Sequence, residues 1–501
     1  MAESLKTQTA KGVWWSFLEK YSTQGVSFIV TLFMARILTP GEYGLIGMIA
    51  IFMALGQVFI DGGFANALIQ KEKRTETDFS TVFWINICIG LLSYALLFVF
   101  APLIASFYKH EILVPIIRVY GINLILSSLA AVNKVKLTVE LNFKTQLKIS
   151  LISAFTSGVA GIACALNDCG VWSIVVQTNV AAAMTAILSF IFVRWKPDAV
   201  FSKESFRSLF NYGSKLLVAQ IISTVYVYLY NLAIGKKYTK EELGLYTKAG
   251  LFGQMVRTHL ASVMTRVSFP VLSRVQNDDE KLIGAYRKFI GMVAFIVFPV
   301  ALGVCGVARP LIVSLITEKW IGCVPFIQIL IFAYLCDGIT LVNLNLLYVK
   351  GRSNVVLKLE IIKKSIAIAI LCITIRYSVI AVCIGQAIYA VIALILNTRN
   401  TRKILDYGLL KQLRDIFPYL LLSLIIMSVG LGLDYLLTND WLVLGLSLIL
   451  CPSVYLLLCY VFRLNALNEM AQIVSSNRYC PVWLNRLFVR LSLVTPIEPS
   501  V

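Results

Sequence analysis

Thr39-Pro40-Gly41-Glu42-Tyr43-Gly44-Leu45 is echoed by Thr239-Lys240-Glu241-Glu242-Leu243-Gly244-Leu245, with every residue number raised by 200. Each copy joins two long apolar runs. Further matches follow in the same order: Pro102-Leu103-Ile104-Ala105-Ser106 with Pro310-Leu311-Ile312-Val313-Ser314, Val114-Pro115 with Val324-Pro325, Lys148 with Lys358, and Gln177 with Gln386. Six apolar runs separate the copies. An even number preserves direction, so both copies run the same way through a bilayer, as in carriers built from parallel repeats.

A helical span needs about 20 mostly apolar residues. That rule predicts fourteen spans, at residues 13–36, 43–69, 79–105, 112–135, 147–167, 171–193, 208–234, 243–271, 287–307, 323–349, 355–375, 378–398, 416–437 and 441–462. The fold class expected is therefore an all-α polytopic membrane protein: two pseudo-symmetric six-helix lobes around a central cleft, with two C-terminal helices added. The domains expected are an N-lobe over 1–200, a C-lobe over 201–406, the extra pair over 407–463, and a cytoplasmic tail over 464–501. In that tail, Trp483, Leu484, Leu487 and Leu491 with Arg486 and Arg490 suit an interfacial amphipathic helix.

Composition agrees. The chain has 501 residues, 58% hydrophobic and 14% charged; a soluble domain carries roughly 25% charged residues. Connections holding the N-terminus, 70–78, 134–148, 194–207, 272–288, 350–364, 399–414 and the tail carry 31 Lys and Arg, and the alternate connections carry 8. The positive-inside rule then puts both termini in the cytoplasm of a bacterial inner-membrane protein. The net charge of +19 is explained by these loops meeting anionic lipid, so nucleic acid is not expected as a partner. The polar N-terminus leads into the first span without a cleavage site, so no cleavable signal peptide is expected. The Cys lie mostly in apolar runs, no CxxC occurs and only two His are present, so no metal site and no cofactor is expected. Phosphate-binding loops, nucleophile elbows and paired catalytic groups are missing, and no enzyme activity is expected.

Ionisable groups within spans are costly in hydrocarbon and mark candidate pathways. Cations there are Arg257, Arg118, Lys248, Lys215, Lys20 and Arg266; Arg257 lies mid-span, far from either interface. Lys248 and Arg266 share one helix face and Arg257 points elsewhere. Asp61, Glu19 and His259 are candidates for ion coupling. Polar residues concentrate on spans 1, 2, 4, 7, 8 and 10, and spans 1 and 2 correspond to 7 and 8 in the repeat. Cations outnumber acids in this set, which suits an anionic substrate such as a phosphate or pyrophosphate; a carrier of cationic drugs would present carboxylates.

The run Gly12-Val13-Trp14-Trp15-Ser16, the segment Ala35-Arg36-Ile37-Leu38-Thr39-Pro40-Gly41-Glu42-Tyr43-Gly44, and Asp61-Gly62-Gly63-Phe64 with Ala67-Leu68-Ile69-Gln70 carry a resemblance. So do Ala101-Pro102-Leu103-Ile104-Ala105 with Phe107-Tyr108, and Gly244-Leu245-Tyr246. Over roughly residues 10–465 the chain resembles the Wzx-type polysaccharide flippases, the colanic-acid exporter subgroup in particular, of the multidrug/oligosaccharidyl-lipid/polysaccharide exporter superfamily. The resemblance implies alternating-access flipping of an undecaprenyl-diphosphate-linked oligosaccharide from the cytoplasmic to the periplasmic leaflet for surface polysaccharide or lipopolysaccharide biosynthesis, coupled to H⁺ or Na⁺. It implies as partners that lipid-linked oligosaccharide, membrane lipids and other polysaccharide-assembly proteins. A multidrug/cation antiporter of the same superfamily is the alternative. An integral-membrane glycan polymerase or ligase would need a large outer loop with catalytic residues, which the chain lacks.

Overall fold

The computed structural model describes residues 5–61, 63–475 and 488; for 5–11, 13, 254–267 and 473 it describes the backbone alone. Among these residues all regular structure is helical. Their contacts form two compact units, Met1–Thr247 and Lys248–Val501.

The first unit holds α1 (Leu5–Ile37), α2 (Pro40–Asp61), α3 (Phe64–Gln70), α4 (Glu76–Tyr108), α5 (Leu113–Tyr120), α6 (Ile122–Val139), α7 (Phe143–Leu166), α8 (Trp172–Val193), α9 (Lys203–Lys237) and the start of α10 (Lys240–Arg274). The second holds the rest of α10, then α11 (Asp279–Gly306), α12 (Ala308–Ile316), a 3-10 turn (Glu318–Cys323), α13 (Val324–Val349), α14 (Ser353–Thr374), α15 (Val379–Leu405), α16 (Leu409–Leu436), α17 (Asp440–Val461) and α18 (Asn465–Ser475).

Eleven spans among the described residues are long and apolar enough to cross a membrane. The other three expected spans coincide with α1, α10 and α14, helices of 33, 35 and 22 residues. These three carry charges within their length, such as Glu19, Lys20, Lys248, Glu360 and Lys363, which dilute their apolarity. Two expected spans are each two helices. The second divides into α2 and α3 at Asp61 to Phe64. The fourth divides into α5 and α6 at Gly121, where a side chain would press on the Tyr94 ring 3.0 Å away. Pro310, matched in the repeat to Pro102 inside α4, lies in the separate short α12.

In lipid, apolar surface needs no burial, and close packing with interhelical hydrogen bonds holds helices together. Accordingly Val99, Leu103, Leu448 and Ile449 stay exposed. In the first unit α7 packs on α1 and α8, α6 on α4 and α8, and α9 on α2. Small residues permit this: a Cβ on Gly158 of α7 would collide with Val30 of α1, and one on Gly90 of α4 would lie 2.7 Å from Ser128 Oγ on α6.

Within each unit, Lys/Arg-rich connections among the described residues are bonded together, and the end of the helices they share is called here the basic face. In the first unit the 194–202 connection is strapped to the start of α4. Trp195 Nε1 donates to Glu76 Oε2 at 2.7 Å, Asp198 N to Ser80 Oγ at 3.0 Å, and Ser202 N to Thr81 Oγ1 at 3.1 Å. Lys136 reaches Glu76 from α6 at 2.9 Å. In the second unit, Lys350 joins Asp279, and Arg287 of α11 clamps Asp415 of α16 through Nε at 2.7 Å and Nη2 at 2.9 Å.

Beside that clamp lies a fully buried polar knot. Tyr286 of α11 donates its hydroxyl to Asn343 Oδ1 of α13. Gln412 Nε2 of α16 (3.0 Å) and Thr401 Oγ1 of α15 (3.2 Å) donate to the same oxygen. Farther along, Gly306 of α11 meets the Met427 carbonyl of α16, where a Cβ would sit 2.6 Å from the oxygen. At the opposite face, Arg309 pairs with Asp434 at 2.8 Å and Asp440 at 3.2 Å. Helix α16 is thus fastened to α11 near its start and at Met427, and Arg309 of α12 holds its far end together with the start of α17.

Candidate functional site

The candidate residues fall in different neighbourhoods. Glu19 of α1 is half-buried and accepts a hydrogen bond from Ser150 Oγ of α7 at 3.0 Å. Lys20, one residue on and about 100° round the helix, is exposed. Asp61 ends α2, is exposed, and accepts from Gln57 Nε2 one turn earlier at 2.6 Å. Lys215 of α9 is exposed.

Arg118 of α5 lies with its guanidinium carbon 4.3 Å from the centroid of Phe98 on α4, a cation–π contact. Its Nε is buried without a hydrogen-bond partner. Lys248 of α10 is 3% exposed, with Nζ 4.9 Å from the Trp320 ring centroid in the 3-10 turn. Arg257, His259 and Arg266 lie on the backbone of α10, and their side chains lie outside the described residues. Trp483, Leu484, Arg486, Leu487, Arg490 and Leu491 of the tail also lie outside them.

Near Arg118, a polar group joins α5, α6 and α8. Asn123 Nδ2 donates to the Thr178 carbonyl (3.2 Å), Ser127 Oγ to Asn123 Oδ1 (3.3 Å), and Asn179 Nδ2 to the Val119 carbonyl (2.8 Å). Polarity marks Asn123 in the sequence. Ser127, Thr178 and Asn179 carry no comparable signal, because neutral residues within apolar runs are unremarkable until helices juxtapose them. Among the described residues, no group of three or more His, Cys, Asp or Glu could hold a metal ion.

On the face away from the basic one, the two repeated turns meet. Thr39 caps the start of α2, its N and Oγ1 donating to Glu42 Oε2 at 2.6 and 3.0 Å. Thr239 caps α10 the same way, with both donors 3.2 Å from Glu242 Oε2, and Thr239 Oγ1 accepts from Glu242 N. Such reciprocal capping satisfies helix-end N–H groups that would otherwise be bare. Tyr238, just before this cap, has its phenol pKa pushed up, first by burial and then by the Glu242 carboxylate. The first turns of α2 and α10 then touch backbone to backbone at Gly44 and Gly244.

The fold is similar to that of solved transporters. A "Lipid II flippase MurJ, inward closed conformation" structure aligns with TM-score 0.72 at 16% identity, covering 90% of this chain and 98% of the other. An inward-facing multidrug resistance MATE family transporter of the MOP superfamily aligns with TM-score 0.59 at 14% identity, covering 76% and 95%. All-helical, with eleven described spans long and apolar enough to cross a membrane, the protein shares the fold of these transporters. The chain belongs to the polysaccharide biosynthesis protein family, whose pattern matches residues 33–325. Curated relatives include the teichuronic acid biosynthesis protein TuaB of Bacillus subtilis, 25% identical over 70% of this chain and 73% of that protein. The lipopolysaccharide biosynthesis protein WzxC of Escherichia coli is 26% identical over 72% and 74%. The succinoglycan biosynthesis transport protein ExoT of Rhizobium meliloti is 26% identical over 65% and 66%.

Proposed function

We propose that this transporter flips an undecaprenyl-diphosphate-linked oligosaccharide from the cytoplasmic to the periplasmic leaflet of a bacterial inner membrane, by alternating access. The observation that carries this reading is the membership in a polysaccharide biosynthesis family of a chain whose spans hold more cations than acids. The lipid tail stays in the bilayer, while pyrophosphate and glycan cross between an N-lobe (1–200) and a C-lobe (201–406). Helices of 407–463 stand beside the C-lobe, and both termini and the 464–501 tail face the cytoplasm. Lys20, Arg118, Lys215, Lys248, Arg257 and Arg266 neutralise the diphosphate along its route. Lys248 takes part only when α10 moves, since it is packed against Trp320. Glu19, Asp61 and His259 are the groups through which H⁺ or Na⁺ drives the cycle; Glu19 is already held by Ser150.

The test is translocation of a lipid-diphosphate oligosaccharide in proteoliposomes, by wild type, Arg257→Ala and Arg257→Lys. Loss in the Ala variant with partial retention in Lys is expected, because charge is what neutralises the diphosphate. Undiminished transport by Arg257→Ala removes that residue. A wild type that moves no such lipid, and instead exchanges a cationic drug against H⁺ or Na⁺, turns the reading to an antiporter.

A further inference from the structure

We propose that Cys164 and Cys169, which bracket the end of α7, are an oxidisable dithiol that closes to a disulfide on the side of the membrane away from the basic connections. The proposal rests on the orientation given above, in which those connections face the cytoplasm.

Helix α7 starts in the basic 134–148 connection, and its 24 residues rise about 36 Å, so its last turn emerges at the far face. The connection there, Asn167-Asp168-Cys169-Gly170-Val171, carries no Lys or Arg. The helix ends in a paired hydrogen bond: Cys169 N donates to the Cys164 carbonyl and Asp168 N to the Ala165 carbonyl, both at 3.2 Å. Asp168 takes the left-handed φ of 55° that this ending needs. Such an ending brings the side chain three places before the cap against the one two places after it. With Asn167 as cap, those side chains are Cys164 and Cys169. With standard bond lengths, the bond between them keeps their Cα atoms within about 7 Å, the reach of a disulfide. The thiols touch: the Cys169 pKa is pushed up, first by its hydrogen bond with the Cys164 thiol and then by burial. Both cysteines stay partly accessible.

Two adjacent thiols have chemistry that a single thiol lacks. One, as thiolate, attacks the sulfur of a small disulfide, forming a mixed disulfide and expelling one thiolate of the donor. The second, as thiolate, attacks the cysteine sulfur of that mixed disulfide and expels the other. Two cysteine thiols are oxidised, the donor disulfide is reduced to two thiols, and the protons pass to the leaving thiolates. Compartments outside the cytoplasm supply such disulfides. The exposed Cys88 of α4 and Cys372 of α14 stop at the mixed disulfide unless a second thiol reaches them. The closed ring staples a turn on which a helix cap is seated. Gly170, with a φ of 55°, has no room for a side chain, since a Cβ there would lie 2.5 Å from Glu42 Oε1. Glu42 is the carboxylate that Thr39 holds at the start of α2.

The experiment begins with the full chain in lipid nanodiscs, reduced, exposed to glutathione disulfide, trapped with N-ethylmaleimide and digested without reductant for mass spectrometry. The peptide holding Cys164 and Cys169 should lose two hydrogens and carry neither maleimide nor glutathione. That closed form should exceed the glutathione adduct of either cysteine by on the order of tenfold, because the second thiol acts at high effective concentration. Cys164→Ser and Cys169→Ser should each leave the remaining thiol as a stable glutathione adduct. Adducts on the wild-type pair without an internal disulfide overturn the proposal. Closure should also slow amide exchange over 165–171 on the order of tenfold in wild type and not in the Ser variants; unchanged exchange overturns the staple. The same trap is then applied to intact cells before lysis, where the internal disulfide should be found. After reduction, a membrane-impermeant maleimide should reach Cys169 from outside. A pair that is reduced in cells yet labelled from outside overturns the disulfide as a state of the protein. Labelling from the cytoplasmic side alone overturns the orientation and, with it, the placement of the pair. The nanodisc result is independent of orientation, since both faces meet the solution, and no step uses a transported lipid.

Discussion

Replacing Asn343 by Leu removes the polar atoms at the centre of the buried knot while keeping the branched outline of the side chain. Asn343, Tyr286, Gln412 and Thr401 are all 1% exposed or less. The substitution deletes the acceptor shared by Tyr286, Gln412 and Thr401, and the bond from Asn343 Nδ2 to Gln412 Oε1 at 3.3 Å. Four interhelical bonds are lost. In soluble cores, stranded groups cost about 1–3 kcal/mol each. Interhelical bonds in membrane proteins average ~0.6 kcal/mol, with a maximum of ~1.7. The lower scale applies here, because two groups keep partners: Gln412 Nε2 still donates to Tyr286 Oη at 3.2 Å, and Thr401 Oγ1 to the Thr398 carbonyl at 2.9 Å. The expected loss is therefore about 2–3 kcal/mol. At ~2–4 °C per kcal/mol for a unit of this size, Tm should fall by about 4–12 °C. Tryptophan fluorescence melting in nanodiscs measures it. Gln412→Leu should behave alike, and the double variant should cost less than the sum by about 1 kcal/mol or more. Singles that melt within about 1 °C of wild type, or strict additivity, would refute the claim that this knot docks α16 on α11, α13 and α15.

Gly306→Ala should destabilise by about 1–3 kcal/mol, because its methyl meets the backbone of α16 and no rotamer can yield. Arg309→Ala, which unties α12 from α16 and α17, should cost under ~1 kcal/mol and lose that effect in high salt, since the guanidinium is half exposed; melting with and without salt separates the two. Trp195→Phe keeps the ring against Phe79 and Phe83 but loses the bond to Glu76. It should cost about 1 kcal/mol and speed amide exchange across 194–202, measured by mass spectrometry.

The membrane class, the number of long helices and the repeat were legible because they depend on one-dimensional properties. Hydropathy over ~20 residues reports whether a helix suits lipid, and the match of 39–45 with 239–245 reports duplication. Helix breaks were less legible. Gly121 reads as one residue in an apolar run, and only the packed Tyr94 ring beside it shows why a side chain has no room there. Polarity along the chain drew attention to Glu19, Arg118, Asp61 and Lys248, yet their neighbours Ser150, Phe98, Gln57 and Trp320 were not readable. All but Gln57 come from distant parts of the chain.

The duplicated turn is where the two kinds of information meet. Sequence alone determined that Thr39–Leu45 and Thr239–Leu245 are copies, and that glycines recur at 44 and 244. That these glycines face one another's copy, each under the other's carbonyl, was decided only by tertiary structure. The physical reason is that a missing side chain leaves no trace of what approaches it. Glycine permits contact on every side, and only the packed helices select the partner.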